Sequence, residues 1–312
     1  MRAADTFQIS QGSLPDGFHF GYKPVMYQLP GYLKAQPTLP DFNYWLTLPS
    51  VSKICGSICF YRSDKKAISQ QYAPFGGFDG IQVNTEIAND FIEFILESLN
   101  DQGVEEIEII SPAGAYRPHV AWEQVYNHHG FSKKQAVNHH LELDQIPLDR
   151  KMHKMEQRKL ARSKQFDFDV HSIGKLEEIF DFIQACRKEK GQQLSMNFAQ
   201  LSLVANQLPD RFVLVSASVD RQIAAAAIVL KVNSNCWYQF YPAHSLRFNR
   251  ESPMVFLLTR LYQLALNQGA KVLDLGTSQL NGRPLEGLLA FKERVGGVIS
   301  YRDTYSKVIS AH

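Results

Sequence analysis

From residue 166 onward the apolar positions switch between two periods. Phe166-Asp-Phe-Asp-Val170 alternates with period two and predicts a strand. Ser172 stands where a helix cap belongs, ahead of a stripe made by Leu176, Ile179, Phe180 and Ile183. A shorter helix is predicted near 197–207, before Pro209. Three strands follow at 212–219, 223–232 and 236–241, parted by the turn residues Asp220-Arg221 and Asn233-Ser234-Asn235. A helix from Pro253, a strand at 272–275, a helix opening at Pro284 and a last strand from Val298 complete the series. Meander strands mixed with crossover helices predict a mixed sheet and the α+β class.

The first half carries a copy of this ending. Phe91 to Gln102 has helical apolar spacing and closes on Gly103, and a strand follows at Ile107-Glu108-Ile109-Ile110. A shift of 166 positions lays these on Leu257–Gln268, Gly269 and Leu273-Asp274-Leu275, Arg117-Pro118 on Arg283-Pro284, and Gly130 on Gly296. One offset kept without a gap points to a duplicated unit, and two copies make a pair of similar domains rather than a solenoid.

Length agrees: 312 residues is near twice a typical domain of about 150. The expected division is a first domain at 1–146, a basic connecting helix at 147–165 and a second domain at 166–312 that carries the active site. With 45% hydrophobic and 21% charged residues the chain reads as an ordinary globular protein. A net charge of +2 selects neither nucleic acid nor an anionic membrane, so DNA is not an expected partner. The opening Met1-Arg2-Ala3-Ala4-Asp5-Thr6 lacks a secretory pattern, and no apolar run of about 18 residues could cross a bilayer, so a cytoplasmic location is expected.

Cys55 and Cys59 share a face of one predicted strand, while Cys186 lies in a helix and Cys236 in a strand. They read as buried thiols. The pairs His128-His129 and His139-His140 put neighbouring rings on opposite faces of a strand, so no metal site is expected. Between the copies, residues 149–164 hold seven basic side chains against two acidic ones. Arg158 and Arg162, four apart, share a helix face. This segment suits either a solvated connecting helix or an anion site for phosphate.

Two positions break the binary pattern. Leu285, Leu288, Leu289 and Val295 form a stripe, and the position seven after Leu285 is Lys292. Its stem could be buried with the ammonium reaching water, or the charge could serve a ligand. The sister copy has Tyr126 there, so the fold does not require the lysine. Asp274 stands among Val272, Leu273 and Leu275 on a strand covered on both faces, where a carboxylate needs a partner. Glu108 occupies the equivalent place, which leaves structural and catalytic roles both open.

The element order of the second half resembles the GNAT acyltransferase fold. Two such domains in tandem resemble the FemABX family of bacterial aminoacyl transferases in peptidoglycan cross-bridge synthesis. The likeness is carried by the basic run Arg158 to Lys164, by Asp274-Leu275-Gly276, by Leu288-Leu289-Ala290-Phe291-Lys292 with Gly296-Gly297, and by Tyr27-Gln28-Leu29-Pro30 near the start. The resemblance implies transfer of an acyl or aminoacyl group from a carrier, aminoacyl-tRNA or acyl-CoA, to a substrate amine, with cell-wall precursors among the acceptors. Neither donor is a tightly bound cofactor. Lys292 matches the family's Phe-Lys lysine and would face the oxyanion of the tetrahedral intermediate. Arg158 or Arg162 would hold substrate phosphate, Phe291 belongs to the same motif, and Tyr241 and Arg247 could line the cleft. Asp274 is a candidate base.

Departures from the family pattern are visible too. No sustained heptad arm is present, and residues 244–253 lack the glycine-rich loop with which GNAT enzymes hold acyl-CoA pyrophosphate. Pro74-Phe75-Gly76-Gly77 does not match that loop either. An acyl-CoA-dependent N-acyltransferase and a catalytically silent binding protein of the same fold are the alternative readings.

Overall fold

The computed structural model describes residues 6–116, 121–163, 165–280 and 283–309. The chain start through Asp5, the Arg117-Pro118 pair of the repeat and Lys164 of the basic run lie outside the described residues. The chain divides into two compact units, residues 1–136 with 301–312, and residues 137–300.

The first unit contains β1 (Gln8–Gln11), β2 (His19–Phe20), α1 (Pro30–Lys34), β3 (Phe42–Leu48), β4 (Lys53–Ser63), β5 (Lys66–Ile68), β6 (Asp79–Gly80), α2 (Thr85–Asp101), β7 (Glu106–Ile110) and α3 (Ala121–His128). Its sheet runs β1-β3-β4-β5-β7, and β7 then pairs antiparallel with the chain's last strand, Ile110 opposite Thr304 and Glu106 opposite Val308. Asn84 caps α2 by accepting from the Ile87 amide. The helix buries Phe91, Ile92, Ile95 and Leu99 against Tyr44, Phe60, Ile107, Ile109 and Tyr305.

The second unit takes in the end of β8 (Ser132–Glu142), then α4 (Leu148–Lys151), α5 (Lys154–Arg162), β9 (Asp167–His171), α6 (Leu176–Glu189), α7 (Phe198–Gln207), β10 (Phe212–Val219), β11 (Gln222–Lys231) and β12 (Cys236–His244). After these come α8 (Pro253–Asn267), β13 (Val272–Thr277), β14 (Gln279–Leu280), β15 (Arg283–Pro284), α9 (Glu286–Arg294) and the start of β16 (Val298–Val308), whose remainder belongs to the first unit. Its sheet order is β8-β13-β12-β11-β10-β9, antiparallel except for the parallel pair β12–β13. The mixed sheet and the α+β class follow. Val255, Leu257, Leu258 and Leu261 of α8 pack with Val213, Val215, Ala227, Trp237 and Leu273 in the core.

The duplication is realised element by element. β8 and β16 are offset by 166 residues at both ends, and α2 and α8 are followed by Gly103 and Gly269, both at positive φ. The two last strands are exchanged, however. β8 of the first copy pairs with β13, and β16 of the second copy pairs with β7. The compact units therefore part at 136/137 and 300/301 rather than at 146 and 166, and residues 147–163 belong inside the second unit.

Two local expectations are corrected. Pro284 does not open a helix: it sits opposite Gln279 in the β14–β15 hairpin, and α9 starts at Glu286. An edge strand tolerates a proline because no ladder amide is needed there. Residues 149–164 are not one helix, since the chain leaves helical geometry at Met152, ψ 149°, between α4 and α5. Leu148, Met152 and Leu160 face the core, so this segment is packed rather than free-standing. Among the described residues, no helix is long and apolar enough to cross a membrane, and no three His, Cys, Asp or Glu side chains gather as a metal site. All four cysteines are buried.

Candidate functional site

β12 and β13 run side by side for three residues only, Cys236–Val272, Trp237–Leu273 and Tyr238–Asp274. Beyond that β12 continues to His244 and β13 to Thr277 without pairing, so the two strands separate. Each has a local cause. The β11–β12 register shifts between Ile228–Tyr241 and Val229–Gln239, which leaves Phe240 as an extra residue. The β13–β8 register shifts between Asp274–His140 and Gly276–His139, which leaves Leu275 extra. Bulges at the same level of neighbouring strands open a wedge with backbone amides and carbonyls along its edges.

Asp274 builds the second bulge. Its Oδ1 accepts from the Gly276 amide at 2.8 Å and from Asn138 Nδ2 at 2.8 Å. The first bond is an Asx turn that draws residue 276 into φ +75°. Glycine is needed at 276 for a second reason: a Cβ would stand 3.2 Å from Tyr238 Cε2. Asn138 Nδ2 also reaches Ser300 Oγ at 3.3 Å, and Ser300 Oγ lies 3.2 Å from His140 Nδ1. The buried carboxylate thus sits in a polar network that satisfies it.

The turned carbonyls meet Lys292. Its Nζ donates to the carbonyl oxygens of Gly276 at 2.8 Å and Thr277 at 3.0 Å. The side chain is 5% exposed, whereas Leu288 on the supposed apolar stripe is 38% exposed. The first turn of α9 does not face the core as the stripe predicts, and the lysine is its most buried position apart from the C-cap Val295. Snorkelling to water is excluded by this geometry. The helix ends in a Schellman turn, with Gly297 N donating to the Lys292 carbonyl at 2.8 Å and Gly296 N to that of Glu293 at 3.0 Å.

His139 packs beside this lysine. It is fully buried, and neither ring nitrogen has a hydrogen-bond partner. Burial first, and the Lys292 charge second, hold its pKa below the usual imidazole value, so the ring is neutral. Glu293 Oε1 is 4.0 Å from its Nε2. In the first unit the positions equivalent to Lys292 and His139 are Tyr126 and Tyr305, whose rings pair at 4.5 Å. A polar pair in one unit replaces an aromatic pair in the other.

The remaining predicted residues are scattered. Phe291 is partly buried against the core. Arg158 and Arg162 lie on α5, with no hydrogen bond or ion pair among the described residues. Their neighbour Glu156 is fully buried and bound by Arg294 Nε at 3.0 Å and Lys159 Nζ at 2.9 Å. The Tyr241 hydroxyl lies 2.6 Å from Ser195 Oγ and accepts from the Met196 amide at 3.0 Å. Arg247 Nη1 donates to Gln222 Oε1 at 2.7 Å. The structure brings Lys292 and Asp274 to one strand end, adds Asn138, His139, Tyr238 and Ser300, and engages Tyr241 and Arg247 elsewhere. Asn138 and His139 escape a sequence reading because β8 reaches this unit only through the strand exchange.

Residues 149–292 match the family profile described as "Acetyltransferase (GNAT) domain". No curated protein matches the chain. The crystal structure of FemX superposes with a TM-score of 0.69 over 92% of this chain and 93% of that one, at 11% identity. The chain has the FemABX-like tandem GNAT fold. L-PGS from Bacillus licheniformis shares that fold at a TM-score of 0.58 and 12% identity, covering 80% of each chain. The C-terminal domain of a putative lysylphosphatidylglycerol synthetase from Agrobacterium fabrum gives a TM-score of 0.58 at 14% identity, over 82% of this chain and 81% of that one. The tandem GNAT arrangement resides in both units, and the profile match lies in the second, where the strands part beside Lys292.

Proposed function

We propose that the protein transfers an acyl or aminoacyl group from a carrier to a substrate amine at the separated ends of β12 and β13. The observation that carries this reading is the buried Lys292 ammonium seated on the Gly276 and Thr277 carbonyls at that opening. The unpaired strand edges suit an extended acyl or aminoacyl arm, which backbone groups can hold as a further strand would be held.

In the reaction the amine nitrogen attacks the carbonyl carbon of an ester or thioester. The C–N bond forms and the carbonyl electrons move to oxygen. The tetrahedral oxyanion then collapses, the carrier oxygen or sulfur leaves with the bond electrons, and the amine proton follows to the leaving group. A fixed cation in a water-poor site lowers the barrier to the oxyanion. Lys292 fills that role, and the His139 ring beside it is neutral. Asp274 is assigned as a positioning residue, because its Oδ1 shapes the bulge that turns the Gly276 carbonyl toward the lysine. Arg158 and Arg162, four apart on α5, are assigned to phosphate on the substrate, and Phe291 to the wall beside Lys292. Tyr241 holds the residues ahead of α7 and Arg247 the β10–β11 turn, so both are assigned to supporting the walls of the site.

The donor is an aminoacyl-tRNA or an acyl-CoA, and precursors of the cell wall are the acceptors this reading favours. Single-turnover transfer from labelled aminoacyl-tRNA and acyl-CoA to a panel of amine acceptors tests it. Transfer from one donor class that disappears in Lys292→Met supports the assignment. Turnover equal to wild type in a folded Lys292→Met protein rejects it, and no transfer from either donor favours the silent binding protein.

A further inference from the structure

A second concentration of positive charge lies at the end of β12. Arg187 belongs to the last turn of α6, Lys190 is its C-cap residue, and His244 ends β12. Arg187 Nη2 donates to the Pro242 carbonyl at 2.9 Å, and Lys190 Nζ to the His244 carbonyl at 3.3 Å. The three side chains are thus held within about two residues of strand.

Their charge is not balanced. None of the three takes part in an ion pair among the described residues. The carboxylate close enough to act on Lys190 is that of Glu189, which is exposed. Burial lowers the proton affinity of all three groups; Arg187 further lowers that of Lys190, and Lys190 and then Arg187 lower that of His244, against the hydrogen bond its Nε2 shares with Asn249 Oδ1 at 3.0 Å. Two desolvated like charges beside an imidazole are costly unless an anion completes the group.

Donor capacity remains. Of the five guanidinium N–H groups of Arg187, Nη1 serves Gln192 Oε1 at 2.7 Å and Nη2 serves Pro242, while Nε is buried without a partner. Lys190 spends one of three ammonium protons. A planar fork next to a point cation matches the oxygens of a tetrahedral phosphate, and a dianion would neutralise both.

We propose that Arg187, Lys190 and His244 form a binding site for a phosphate oxyanion, separate from the α5 arginines. A phosphate could come from a CoA-type donor or from a nucleotide-linked substrate, and the same side chains would hold either. Phosphate binding here does not depend on the transferase reading, because it is measured without turnover.

Calorimetry of the full chain at low ionic strength with inorganic pyrophosphate is the test, alongside CoA, dephospho-CoA and a uridine diphosphate sugar. Against wild type, Lys190→Gln and His244→Gln together should weaken pyrophosphate binding tenfold or more. A loss confined to CoA against dephospho-CoA assigns the phosphate to the donor; a loss with the nucleotide sugar assigns it to the acceptor. Arg187→Lys, which keeps the charge but not the fork, should weaken binding less than Lys190→Gln/His244→Gln if that variant folds. Undiminished affinity in a folded Lys190→Gln/His244→Gln protein, or no pyrophosphate binding by wild type, overturns the proposal.

Discussion

The proposed transfer rests first on one side chain, Lys292. Its burial replaces the tyrosine of the sister unit by a cation, and a cation near a developing oxyanion is worth roughly 10²–10³ in rate. Lys292→Met should therefore lower transfer by about that factor, with far-ultraviolet circular dichroism unchanged. Gly276 is a backbone requirement. At φ +75°, and with Tyr238 Cε2 3.2 Å from where a Cβ would stand, Gly276→Ala should cost about 1–2 kcal/mol, read as a lower midpoint in urea. Asp79 of the first unit gives a pH signature. Burial raises its carboxyl pKa to about 7 although it accepts from the Val25 amide at 2.8 Å. A raised folded pKa stabilises the protonated form, so this contribution is complete below the unfolded value of about 4 and is lost as pH climbs toward 7. Asp79→Asn should raise the melting temperature by a few degrees at pH 8 and leave it unchanged at pH 4.

At the scale of elements, the exchanged strands carry the consequence. Tyr305 stands on the second copy's last strand yet packs with Tyr126 in the first unit's core. Tyr305→Ala should cost about 3–5 kcal/mol, as large aromatic truncations do. Hydrogen exchange should speed up in α2 and β7 and stay slow in α8 and β13; the reverse pattern would contradict the strand exchange. The helices and strands themselves are legible from period alone, because α2, α8, β10 and β11 present long, regular apolar faces. The element that period misreads is α9. The usual preference of proline for a first turn sets its start at Pro284, whereas a short hairpin claims that residue.

For the whole molecule, the division of the chain makes a sharp prediction. Residues 137–300 contain every strand of their sheet, including the 138–142 stretch that pairs with β13. That fragment should fold alone with a cooperative thermal transition. A fragment cut as 166–312 lacks both that strand and α5 and should not. A fragment 1–146 lacks Tyr305 and Ile309 from its core and should be expanded and bind a hydrophobic dye.

Hydrophobic period, the 166-residue offset and the misplaced lysine were determined by the sequence itself, since each is a regularity along the chain. The class, the tandem arrangement and the break in pattern at Lys292 could be read from them. Tertiary structure alone decided which strand completes which unit. It also decided that Asp274 spends its carboxylate on a bulge, that His139 is buried beside Lys292, and that Arg187 and Lys190 meet at the end of β12. The physical reason is that pairing across a sheet joins residues more than a hundred positions apart, and no local pattern encodes the partner an edge will take.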